Sequence, residues 1–358
     1  MPPVRVQPTV AALDSHRTTA ISPLLSPSLL RHELPVDEQA AACVTRTRAD
    51  VVDILDGRDD RLLVVVGPCS IHDPAAALDY AHRLAEQAER LSDRLLVVMR
   101  AYFEKPRSTV GWKGLINDPG LDETFDVNRG LRTARALLLD VLALGLPVGC
   151  EFLDPITPQY LSDLVTWGAI GARTAASQVH RQLVSAMSMP IGIKNGTDGD
   201  VQVAIDAVGA GAARHVFMGI NPDGLAALIS TSGNPDGHVI LRGGTKGPNF
   251  GAADVADALD RIERAGLPRR IIVDASHGNS GKDHVRQAEV TAELAGRIAR
   301  GDRDVTGLML ESFLVPGRQN LGPDMTYGQS VTDACMGWDT TSGLLDSLAD
   351  AVAARRSG

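Results

Sequence analysis

Eight short apolar runs, separated by longer stretches with helical periodicity, constrain this chain more than any other feature. The runs are 62–66, 95–99, 147–152, 169–172, 190–193, 238–241, 270–274 and 307–310. Each is too short for a helix and too continuously apolar for a strand with one wet face, so each reads as a strand covered on both sides. Between them, 75–91, 130–144, 158–166, 178–185, 200–208, 252–265 and 282–299 carry apolar residues at amphipathic-helix spacing. Eight strand-then-helix units predict an α/β fold of the (β/α)8 TIM-barrel type. One segment breaks the rhythm: 215–220 and 225–231 flank an Asn221-Pro222-Asp223-Gly224 turn and read as an inserted β-hairpin.

The 358 residues are 44% hydrophobic and 22% charged, enough apolar matter for one large core. Residues 1–36 are rich in Pro and Ser and read as an N-terminal arm ordered by a partner. The barrel domain then occupies 37–358, beginning with a helix over 37–55. Thirty-five basic residues against 44 acidic ones give a net charge of −9, which argues against a general nucleic-acid binder. No apolar run is long enough to span a bilayer and no secretory signal is evident, so no membrane partner is expected. The four cysteines, at 43, 69, 150 and 335, have neither metal-motif nor disulfide-framework spacing, which points to a reducing, cytoplasmic setting.

In a barrel the loops after the strands ring one cavity, and here every strand delivers a reactive residue to that end. In order these are Cys69, Arg100 with Lys105 and Arg107, Glu151, Arg173, Lys194, Arg242, His277 and Glu311. Six of them are cations in an acidic protein, and guanidinium forks suit phosphate and carboxylate, so polyanionic substrates are expected. Cys69, His277 and Glu311 form a mixed donor set suited to Mn2+, Fe2+, Co2+ or Zn2+ more than to Mg2+ or Ca2+. Any one of these residues alone would read as an ordinary loop or core residue; their register carries the argument. His72, His180, His215 and His238 are read as structural, and Trp112, Trp167 and Trp338 as core or interface.

The ordered segments Gly67-Pro68-Cys69-Ser70-Ile71-His72-Asp73, Met99-Arg100-Ala101-Tyr102-Phe103-Glu104-Lys105-Pro106-Arg107, Gly171-Ala172-Arg173, Lys194-Asn195-Gly196-Thr197-Asp198-Gly199, Leu241-Arg242-Gly243-Gly244, Asp274-Ala275-Ser276-His277-Gly278-Asn279-Ser280 and the run 327–335 closely resemble type I 3-deoxy-D-arabino-heptulosonate 7-phosphate (DAHP) synthase. The resemblance covers roughly 35–345. It implies condensation of phosphoenolpyruvate with D-erythrose 4-phosphate, releasing phosphate, as the first step of the shikimate pathway. It also implies a divalent metal on Cys69, His277, Glu311 and Asp333. Phosphoenolpyruvate would sit among Arg100, Lys105, Glu151, Ala172, Arg173, Lys194 and Arg242, near His277. Erythrose 4-phosphate would lie on Arg107 and Ser108, with Lys105, Pro106 and Asp333 along the sugar. Catalytic roles then fall to Lys105, His277 and Cys69, and Lys105 is expected to have a lowered proton affinity from its cationic neighbours and to serve as proton donor or phosphate clamp.

The arm and hairpin resemble those of members that form homodimers or homotetramers and bind an aromatic amino acid effector. By that resemblance the effector residues are Pro158, Gln159, Leu183, Met187, Ser188, Phe217 and Gly219, with arm residues of a neighbouring subunit. The missing side chain at Gly219 favours tyrosine over phenylalanine. Competing readings are an octulosonate 8-phosphate synthase, a noncatalytic sensor of aromatic amino acids, and a Schiff-base aldolase built on Lys194.

Overall fold

The structure, a computed structural model, describes residues 17–107 and 109–358. The elements follow in chain order: α1 Pro27–Glu33, α2 Glu38–Leu55, β1 Leu62–Gly67, α3 Pro74–Arg90, β2 Leu95–Arg100, α4 Val127–Ala143, β3 Val148–Glu151, α5 Pro158–Leu161, β4 Trp167–Ile170, α6 Gln178–Ala186, β5 Ile191–Lys194 and α7 Gln202–Ala212. They continue with β6 Val216–Ile220, β7 Ala226–Ser230, β8 Gly237–Leu241, α8 Ala252–Arg264, β9 Ile271–Asp274, α9 His277–Ser280, α10 His284–Ala299, β10 Gly307–Glu311, β11 Val315–Arg318, β12 Gln329–Ser330 and α11 Trp338–Ser357. Eight parallel strands close into a barrel in the order β1-β10-β9-β8-β5-β4-β3-β2. β6 and β7 form the expected separate antiparallel hairpin.

Local chemistry explains where the helices start. Asp37, Asp73, Asp126 and Asp283 each stand one residue before a helix and accept from its first free N–H groups, an arrangement worth roughly 1 kcal/mol each. Pro74 occupies a first-turn position where its missing donor costs nothing. The barrel strands are buried along their whole length, as both-face coverage requires. Inside the barrel Leu63, Val65, Leu96, Val98, Trp167, Ala169, Ile240, Ile272 and Met309 pack together with Val51, Ile54 and Leu55 of α2. The end of α2 therefore plugs the barrel at the end opposite the strand-exit loops.

Two sequence expectations need correction. The fourth strand is Trp167–Ile170, two residues earlier than its apolar run, because the Trp167 indole enters the interior and donates from Nε1 to His238 Nε2 at 3.0 Å. The eighth helix, α11, was absent from the periodicity count; its Trp338 meets Tyr80 edge-on at 5.5 Å. The described part of the arm also makes contacts within its own subunit. Leu30 is fully buried, Glu33 pairs with Arg132 at 2.7 Å, the Ser28 N–H donates to Pro222 O at 2.7 Å, and the Tyr160 hydroxyl donates to Leu25 O at 2.8 Å. Residues 1–16 of the expected arm lie outside the described residues.

Candidate active site

The strand exits surround a cavity of about 780 Å3. Its wall includes Arg100, Lys105, Arg107, Glu151, Ala172, Arg173, Lys194, Arg242, His277 and Asp333, so the sequence-expected residues do converge. Arg100, Glu151, Lys194 and Glu311 are the last residues of β2, β3, β5 and β10. The loops after β5, β8 and β9 meet so tightly that a Cβ on Gly244 would lie 2.1 Å from Gly199 N, and one on Gly278 2.5 Å from Gly244 N. Only glycine permits that contact, which brings Arg242 and His277 onto one wall.

The cations are not left to wait for ligands alone, as their number in the sequence had implied. Arg100 Nη2 pairs with Glu311 Oε1 at 3.1 Å in a buried contact, and its guanidinium stacks 4.0 Å over the Tyr102 ring. Lys194 Nζ lies 3.1 Å from Glu151 Oε1 and 3.8 Å from Asp274 Oδ2. That pairing removes the case for a neutral Schiff-base lysine at 194. Arg100 Nη1 is buried with no partner among the described residues, and a guanidinium donor in that state calls for an anion from the cavity.

Beside these cations, ligand atoms of Cys69, Glu311 and Asp333 all lie within 4.8 Å of one another. Cys69 Sγ is 3.7 Å from Asp333 Oδ2. His277 Nε2 is 3.6 Å from Glu311 Oε1, at the edge of the trio. One thiol, two carboxylates and an imidazole fit a borderline divalent cation. His277 sits at φ +54, rare for a non-glycine residue. Its Nδ1 is held by Asp274 Oδ2 at 2.9 Å and Ser276 Oγ at 2.7 Å, which turns Nε2 toward Glu311. Asp274, quoted in a motif but given no role from sequence, is therefore the hub that orients the histidine. Burial raises its carboxyl, but His277 and Lys194 hold it far below the carboxylate range.

Lys105 Nζ reaches Cys69 Sγ at 2.9 Å and Cys69 O at 3.2 Å. Its expected lowered proton affinity is a further correction. Burial pushes it down, but Cys69, Glu311, Asp333 and Glu151 together pull it well above the ordinary lysine value. The crowding cations were legible in the sequence; the four acidic groups that outweigh them come from distant strands. Burial and Glu311 push the Cys69 thiol up to about 11, while Lys105 and His277 overcome burial to hold Asp333 at about 2.

Ser108 lies outside the described residues. Thr197, Thr245, Lys282, Arg318 and Asn320 also line the cavity; none was singled out from sequence, and Arg318 ends β11, a short strand outside the barrel repeat. Trp112, read as core or interface, lines it too.

The profile of the DAHP synthetase I family matches residues 33–346. The chain belongs to that family. Among DAHP synthetase I relatives, the phospho-2-dehydro-3-deoxyheptonate aldolase of Corynebacterium glutamicum is 55% identical over 97% of this chain and 96% of its own. The Phe-sensitive phospho-2-dehydro-3-deoxyheptonate aldolase of Escherichia coli K12 is 54% identical over 96% of this chain and 98% of its own. The solved phospho-2-dehydro-3-deoxyheptonate aldolase from Francisella tularensis superposes with a TM-score of 0.93 at 48% identity, covering 94% of this chain and 99% of that one. This member of the DAHP synthetase I family is thus an enzyme of the class that those names describe, 3-deoxy-7-phosphoheptulonate synthase.

The proposed effector residues are spread over three elements. Pro158 and Gln159 open α5; Leu183 lies on α6, with Met187 and Ser188 just after it; Phe217 and Gly219 are on β6. A Ser185 Oγ to Thr231 Oγ1 contact of 2.8 Å ties α6 to the hairpin base. Gly219 faces the Ile229 side chain across the hairpin: a Cβ there would lie 2.5 Å from Ile229 Cδ1, the far end of a flexible side chain.

Proposed function

We propose that this cavity joins phosphoenolpyruvate to D-erythrose 4-phosphate, forming DAHP and inorganic phosphate. The observation that carries the reading is the buried Arg100 donor with no partner among the described residues, set among Lys105, Lys194 and Arg242 beside the Cys69-Glu311-Asp333 cluster. Arg100, Arg173, Lys194 and Arg242 hold the phosphate and carboxylate of phosphoenolpyruvate, with Glu151 and Ala172 beside them. Arg107 and Ser108 take the phosphate of the acceptor, whose sugar runs along Lys105, Pro106 and Asp333. Held in that geometry, C3 of phosphoenolpyruvate bonds to the aldehyde carbon, water adds at C2, and carbon-oxygen cleavage releases phosphate. The raised proton affinity of Lys105 supports a charged clamp across both substrates rather than a poised proton donor. Cys69, His277, Glu311 and Asp333 would hold a divalent cation, which when bound supplies Lewis-acid polarisation of the aldehyde oxygen.

Regulation by an aromatic amino acid at the α5, α6 and hairpin residues is part of the same proposal, supported by similarity to a relative named for phenylalanine sensitivity. The missing side chain at Gly219 favours tyrosine over phenylalanine, and titration of the three amino acids tests that choice. Assembly into a homodimer or homotetramer is supported by the hairpin's outer face, where Met218 and Leu228 sit opposite one another at 91% and 72% exposure.

Phosphate release from phosphoenolpyruvate, with erythrose 4-phosphate or arabinose 5-phosphate as acceptor, tests the activity. Release with the four-carbon sugar alone, lost in EDTA and regained with Mn2+, is expected. Release with the five-carbon sugar would make the chain an octulosonate 8-phosphate synthase, and release with neither would make it a noncatalytic sensor.

A further inference from the structure

Glu104 lies between the end of β2 and the two cations assigned to the acceptor, and nothing in the proposed reaction uses it. Its side chain is 4% exposed, yet it is absent from the wall of the main cavity. Instead it reaches the segment that leads into α5. Oε2 accepts from the Leu153 N–H at 3.3 Å, and Oε1 accepts from the Asp154 N–H and the Thr157 hydroxyl, each at 3.2 Å. Burial pushes this carboxyl up to about 8, against the pull of those donors.

The Lys105 end of the segment that follows is also held by its Nζ on Cys69, but further along the segment borders open space. A second cavity of about 420 Å3 adjoins the first, and Lys105, Pro106, Arg107, Thr109 and Gly111 border both. These residues form a partition with open space on each side, so core packing does not determine where Arg107 stands. Across the neck of the partition the Lys105 N–H donates to Lys113 O at 2.8 Å, and the three bonds to Glu104 anchor its start.

We propose that Glu104 is a positioning residue for the acceptor: its buried carboxylate clamps the start of the Lys105–Arg107 segment to residues 153–157 and so sets where Lys105 and Arg107 meet erythrose 4-phosphate. The inference rests on the reading above that Arg107 takes the acceptor phosphate. Above pH about 8, where this carboxyl is ionised and where the kinetics below are measured, an amide cannot replace it, because both oxygens then accept and the NH2 of glutamine would oppose an N–H or a hydroxyl. Phosphoenolpyruvate keeps Arg100, Arg173, Lys194 and Arg242 on other strands, so its binding should be largely spared.

The test is steady-state kinetics on the Mn2+-loaded full chain for E104Q, T157V and R107A, with thermal unfolding alongside. E104Q is expected to raise KM for erythrose 4-phosphate about tenfold, and that for phosphoenolpyruvate at most about twofold. T157V, which removes one donor of the clamp from the other element, should raise the same KM about threefold, and the double variant should fall short of the product because one clamp is lost once. If E104Q does not fold, T157V decides alone. R107A separates the two claims. Unchanged acceptor KM in R107A would overturn the assignment of the acceptor site itself. A raised KM in R107A, with E104Q and T157V either unchanged or raising both KM values equally, would leave that assignment standing and overturn the role of Glu104.

Discussion

At the residue scale, two buried groups have consequences that can be measured apart from each other. His238 is 1% exposed, accepts from the Trp167 indole, and is pushed down by burial to about 3 from an ordinary 6.5. A histidine held neutral in the fold but able to charge when unfolded contributes stability that is complete above about 6.5 and is lost as pH falls toward 3. Urea unfolding should therefore show stability falling by up to about 1.4 kcal/mol per pH unit over that window beyond the loss in H238Q, which keeps an acceptor for Trp167. Parallel pH profiles for the two proteins would contradict this. Lys105, held charged against the Cys69 sulfur, is the group that the proposed reaction would depend on. K105M should lower turnover at least about a hundredfold, and near-normal turnover would exclude every role given to it. The strand-end register had already singled out Lys105, Arg100 and His277, because the type of residue after a strand is local information. Asp274 and Glu104 were passed over because their roles depend on partners far away in sequence, His277 and Lys194 for one and the 153–157 segment for the other.

At the scale of elements, the barrel strands and the hairpin were legible because covered strands read as unbroken apolar runs and Asn-Pro-Asp-Gly turns are conspicuous. The fourth strand shifted by two residues because tryptophan can end or enter an apolar run equally well from sequence. α11 escaped notice because its apolar positions are interrupted by Asp339, Ser342, Gly343 and Asp346, although Leu345, Leu348 and Val352 are fully buried. α2 shows what an element outside the barrel repeat contributes. Its Leu55, 1% exposed, joins the interior cluster. L55A should cost about 3 kcal/mol in chemical unfolding, with turnover per folded molecule unchanged since the site lies at the other end. A loss of turnover without loss of stability would contradict the plug.

For the whole molecule, the arrangement separates stability from the proposed chemistry: α2 seals one end of the barrel, and cations with the Cys69-Glu311-Asp333 cluster occupy the other. α1, α5 and the hairpin turn meet one another along the flank, through Arg31 Nη2 to Gln159 O at 2.7 Å and Ser28 to Pro222. Titration of phenylalanine, tyrosine and tryptophan against phosphate release should show inhibition by at least one, and none by any would remove the regulatory part of the proposal. Among the described residues no helix is long and apolar enough to cross a membrane. The most direct measurement is a crystal structure of the chain with Mn2+ and phosphoenolpyruvate, using the anomalous signal of manganese. The account predicts one anomalous peak bounded by Cys69 Sγ, His277 Nε2 and the carboxylates of Glu311 and Asp333, with phosphoenolpyruvate on Arg100, Arg173, Lys194 and Arg242. A peak away from those four residues, or phosphoenolpyruvate bound outside that group of cations, would contradict it.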